Sequence, residues 1–104
     1  MRQLEQPIEL KDNFVPVLSL RRKMAHFVDK FHLSDPQRGS DDLDDYEAVL
    51  LETDGERFLL LRYARYPEDM VDVFIPARKK GSALFIQHIV KELDIPRDAI
   101  IRHH

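Results

Sequence analysis

Arg78-Lys79-Lys80-Gly81-Ser82 is the stretch whose residue types come closest to a ligand site. It joins a strand-like segment to a helix-like one, so three cationic side chains, a glycine and the free N–H groups of a helix start would share one loop. Those groups suit an anion, because unpaired N–H groups and the positive end of a helix dipole both favour negative charge. The spaced glycine and the Lys-Ser/Thr order of a phosphate-binding P-loop are missing, so the same residues also describe a solubilising turn with a good N-cap. Arg21-Arg22-Lys23 forms a second basic cluster, and Arg62 with Arg65 a third. Tyr63 and Tyr66 beside the last make a basic-aromatic surface of the kind that holds nucleic acid. A formal charge of −3 works against a polyanion.

The opposite chemistry sits in Asp41, Asp42, Asp44 and Asp45. Oxygen ligands can hold calcium or magnesium, but a calcium loop needs alternating ligands, a central glycine and a closing glutamate, and that order is absent. The run is read as a docking surface for a basic partner, with no metal and no cofactor. His26 points off its apolar stripe, and His88 reads as a surface position on a helix. No serine stands in a nucleophile elbow and no His-x-x-x-His pair occurs. Asp72, between Val71 and Val73, comes closest to a tuned acid, yet on an alternating strand it reads as an outward-facing residue. No catalytic residue is assigned, and an enzyme is not the favoured reading. The terminal pair His103-His104 is given no functional weight.

These residues need elements to position them. Val17, Leu20, Met24, Phe27 and Phe31 recur at intervals of 3, 4, 3 and 4, which predicts an amphipathic helix from about Phe14 to His32, capped by Asp12 or Asn13, with Pro16 in its first turn. Residues 34–45, with Pro, Gly, Ser and five Asp, read as an exposed acidic loop. Tyr46–Thr53 and Arg57–Tyr66 flank Asp54-Gly55, a strong hairpin signal because both turn residues must accept positive φ. A two-residue turn there pairs Glu52 with Arg57, Leu51 with Phe58 and Tyr46 with Tyr63, and sets Glu47 against Arg62. Both faces of that hairpin are apolar, so the second must be covered by a helix, by the acidic loop or by another subunit. Met70–Ile75 makes a third strand. Ser82 caps a helix through Leu93 with Leu84, Ile86, Ile89, Val90 and Leu93 on its apolar side, and Ala99–Ile101 suits a short final strand.

The expectation is therefore a single α+β domain over residues 1–104: N-terminal amphipathic helix, three-stranded antiparallel meander, C-terminal helix, short final strand. Residues 1–33 carry 6 basic and 4 acidic side chains, 34–56 carry 1 and 9, and 57–104 carry 9 and 6, so the net negative charge belongs to one connector. The absence of cysteine excludes disulfides and thiol chemistry, and no apolar run approaches the length of a membrane span. A cytoplasmic setting is the default. The two-sided hairpin and the 3-4 spacing of the first helix favour a homodimer. The functional expectation is a small non-enzymatic interaction or regulatory module docking a protein partner through the acidic loop. The alternative is a binder of nucleic acid or a phosphorylated ligand through residues 78–82.

Overall fold

A computed structural model describes residues 1–10 and 13–104. Its strands are β1 Arg2–Leu4, β2 Phe14–Arg21, β3 Gln37–Ser40, β4 Asp45–Thr53, β5 Glu56–Tyr63, β6 Met70–Pro76 and β7 Ile100–His103; its helices are α1 Met24–Phe31 and α2 Ala83–Glu92. Asp54 and Gly55 adopt φ of 51° and 76°, the left-handed pair that closes a tight hairpin without splaying its strands. The register that follows runs from Tyr46 opposite Tyr63 to Thr53 opposite Glu56, as the turn dictates.

The sheet is larger than a three-stranded meander. Its order is β1-β4-β5-β6-β2-β7, every pairing is antiparallel, and β3 shares the outer edge of β4 with β1. The long N-terminal helix is the main correction: residues 14–21 form a strand and only 24–31 a helix. Leu18 and Leu20, both fully buried, face β6 residues Val73 and Val71, while Ser19 between them faces the other side of the sheet. A bulge between Pro16 and Leu18 shifts the alternation, which lets Val17 and Leu20 mimic helical spacing. Pro16 lies before the stretch where β7 joins β2, so its missing N–H removes no bond on that side. Asn13, with φ of 67°, precedes a strand and caps no helix, and Asp12 lies outside the described residues. Helix α1 instead follows Lys23 and ends at His32, whose φ of 54° turns the chain so that Leu33 N–H donates to the Val28 carbonyl.

Strands β1 and β3 lack apolar alternation because they are short edge strands, and β3 interrupts the expected loop 34–45. Two glutamine amides extend their pairing. Gln3 accepts from Ser34 N–H and donates to the Ser34 carbonyl, while Gln37 accepts from Ile8 N–H and donates to the Gln6 carbonyl.

Both helices lie over one face, where Met24 and Phe27 of α1 and Ile89 of α2, with Leu93 just beyond it, close on Val49, Leu51, Phe58, Leu60, Val71, Val73 and Ile75. Ser82 caps α2 by accepting from Phe85 N–H, but the buried stripe includes Phe85 rather than Leu84, which is 81% exposed. On the second face Ala48, Leu50, Leu59, Leu61 and Phe74 are buried beneath Leu4, Ile8, Leu10 and Phe14 of the same chain. The two-sided hairpin thus needs no second subunit to keep it from water. Among the described residues no helix is long and apolar enough to cross a membrane.

Candidate functional site: the tyrosine–arginine end of the sheet

The second face changes character beyond Leu61 and Phe74. Asp72 on β6 points there, opposite Ser19 on β2, and is 2% exposed. Its two oxygens accept from the Ser19 hydroxyl at 2.6 Å and the Tyr66 hydroxyl at 2.8 Å. Ser19 has spent its one proton on Asp72, so its lone pair faces His104 Nε2 at 2.9 Å, and that nitrogen is the donor. Asp72 is therefore buried, not outward-facing. A carboxylate so deeply placed would be costly without these bonds, and every buried side-chain polar atom among the described residues has a partner.

Three tyrosines run alongside. Tyr46 and Tyr63 face one another across β4 and β5, and Tyr63 meets both Tyr46 and Tyr66 edge to face, with centroids 6.2 and 5.4 Å apart. Burial, and then donation to Asp72, pushes the Tyr66 hydroxyl up to about 12. Burial and donation to Asp41 push Tyr63 higher still, and burial also raises Tyr46.

The expected docking run, Asp41 to Asp45, stays at the surface, with Asp41, Asp42 and Asp45 exposed, yet three of its carboxylates bond back to the fold and build this end of the molecule. Asp41 accepts from the Tyr63 hydroxyl at 2.7 Å and from the N–H groups of Leu43 and Asp44. Burial alone would raise its carboxyl, but these bonds outweigh that effect and hold it below the usual range. Asp44 accepts from Arg65 N–H at 2.8 Å and from Asp45 N–H, and Asp45 accepts from the Ser40 hydroxyl. Asp42 alone of the four makes none of these side-chain bonds. The loop thereby fixes Arg65, whose guanidinium carbon lies 5.0 Å from the Tyr63 ring centre and 5.8 Å from that of Tyr66. Among the described residues its one side-chain hydrogen bond is a long one, from Nη1 to the Leu43 carbonyl at 3.4 Å, so Nε and Nη2 are uncommitted. Arg102, opposite Ser19 on β7, also acts on the Tyr66 hydroxyl.

Residues 78–82 do not assemble with this end. Arg78 donates twice to Glu56, at 2.6 and 3.2 Å, and Lys79 lies 3.7 Å from the same carboxylate. The Arg78 bonds hold Glu56 below the ordinary carboxylate range. Two of the three cations are thus already matched, the Ser82 hydroxyl is occupied by Phe85 N–H, and Lys80 and Gly81 are exposed.

A second polar cluster joins α2 to the β4–β5 turn. His88 Nε2 lies 2.8 Å from Thr53 Oγ1, 3.2 Å from Asp54 and 3.7 Å from Glu92, and the Thr53 hydroxyl donates to Glu92 at 2.7 Å. The residue types suggest a nucleophile, a base and an acid. The geometry does not: the Thr53 proton goes to Glu92 rather than to His88, and all three His88 partners meet the same ring nitrogen. The His88–Glu92 spacing of four on a helix was the sequence signal for part of this cluster; its link to Thr53 depends on the fold. Among the described residues no group of His, Asp and Glu is arranged to hold a metal ion. Comparison with protein families, with curated proteins and with solved structures finds no match to this chain.

Proposed function

We propose that the protein is a small non-catalytic interaction module whose recognition surface is the tyrosine–arginine end of the second sheet face, and that its protein partner presents acidic side chains to Arg65 and Arg102. The observation that supports this most is Arg65 lying against two tyrosine rings with Nε and Nη2 uncommitted. A guanidinium stacked in place loses little further freedom when a carboxylate engages it bidentately, which favours binding. In this reading the acidic loop is a buttress: it orients Tyr63 through Asp41 and the Arg65 backbone through Asp44.

Titrating isotope-labelled protein with hexaglutamate and, separately, with hexalysine tests the assignment by NMR. Hexaglutamate is expected to shift the amide resonances of Ser19, Arg65, Tyr66 and Arg102, with the effect falling as salt is raised. If hexalysine alone binds and its shifts centre on residues 41–45, the acidic loop is the docking surface and this assignment fails. Shifts from hexaglutamate centred on Arg78 to Ser82 would equally overturn it.

A further inference from the structure

At the open end of the helix-covered face, three adjacent strands set Arg38 of β3, Glu47 of β4 and Arg62 of β5 directly opposite one another. Register alone predicts that Glu47 pairs with an arginine. The structure withdraws Arg62 from that pairing: its Nη2 donates to the Tyr66 carbonyl at 2.8 Å and its Nε to the Pro67 carbonyl at 3.3 Å, which ties it to the turn after β5. Glu47, half-buried, and Arg38, exposed, make no side-chain hydrogen bond or ion pair among the described residues. These three side chains, with Asp45 and Tyr46, line a cavity of about 440 Å³. That volume lies within the range of small-ligand sites.

The lining is neutral in sum but separated in sign, with Arg38 and Arg62 flanking Glu47 and with Asp45 in the next row. A simple anion drawn to the arginines would be repelled by Glu47, and a simple cation drawn to Glu47 would meet two arginines. A ligand that is itself neutral overall with separated charges satisfies both. We propose that this cavity binds a small zwitterion of the α-amino acid class, its carboxylate between Arg38 and Arg62 and its ammonium on Glu47. This site is separate from the Arg65 surface and does not depend on it.

The test is an NMR titration with the common amino acids, each to about 10 mM, an affinity range that one small polar contact set can reach. Any amino acid that binds is compared with its carboxylate-only and amine-only analogues. At least one amino acid is expected to give saturable shifts at Arg38, Glu47 and Arg62, with each analogue about tenfold weaker. Glu47→Gln, shown folded by its own spectrum, is expected to weaken binding about tenfold, while Lys91→Gln, at an exposed position on α2 that does not line the cavity, leaves it unchanged. The assignment is overturned if no amino acid gives saturable shifts, if either analogue binds as well as its parent, or if Glu47→Gln binds as well as the wild type.

Discussion

Asp72 concentrates what single residues contribute. Its burial is compatible with a stable sheet because Ser19 and Tyr66 each supply a hydroxyl donor, and removing either would leave a carboxylate oxygen unpaired in a water-poor place. The alternation of Val71, Asp72 and Val73 was correctly legible as two faces, but it carried no information that the second face is also buried, since that depends on Tyr66 and β2 arriving from elsewhere in the chain. Tyr66 gives this network a pH signature. An unfolded tyrosine ionises near about pH 10, whereas Tyr66 is pushed up to about 12 by burial first and by its bond to Asp72 second. The folded state therefore retains a proton that the unfolded state gives up, so the stabilisation is whole below about pH 10 and is lost as the pH rises toward 12. Urea denaturation across that window is expected to show a shallower loss of stability for Tyr66→Phe than for the wild type. Equal slopes would mean that the bond to Asp72 does not hold the proton.

At the scale of elements, the register of the hairpin was legible because its information is local: Asp54-Gly55 fixes the turn, and the turn fixes eight facing pairs, although β5 ends at Tyr63 rather than at Tyr66. The side-chain ion pairs implied by that register were not. Glu52 turns to Arg2 of β1 at 3.0 Å and Arg57 lies against the Phe14 ring, choices made by neighbours distant in sequence, while Arg62 binds the carbonyls of the turn just after β5. The segment 14–32 was misread for a different reason. A bulge lets a strand and a following short helix share one pattern of threes and fours, and only the burial of Leu18 separates the two readings. On a helix with the stripe Val17, Leu20, Met24, Leu18 would stand well off the apolar side, whereas on β2 it is fully buried against Val73. Leu18→Ala is accordingly expected to cost about 2–5 kcal/mol in chemical denaturation. A cost below about 0.5 kcal/mol, the level of an exposed substitution, would contradict the strand.

For the whole molecule, the charge of −3 describes the surface poorly. The acidic connector that carries the excess stays at the surface but is partly tied back to the fold, with Asp41 on Tyr63, Asp44 on Arg65 and Asp45 on Ser40, and Glu56 absorbs Arg78 and Lys79. The two charged runs most visible in the sequence are therefore mostly committed within the fold. One surface with uncommitted donors is that where Arg65 lies on its tyrosines, and a basic-aromatic pairing there was legible from composition while its geometry was not. Calorimetric titration of hexaglutamate into the wild type and into Arg65→Lys tests this most directly, because the substitution keeps the charge and removes the planar fork. Binding to Arg65→Lys is expected to be weaker by about fivefold or more. Equal affinity for the two proteins would contradict recognition through the stacked guanidinium.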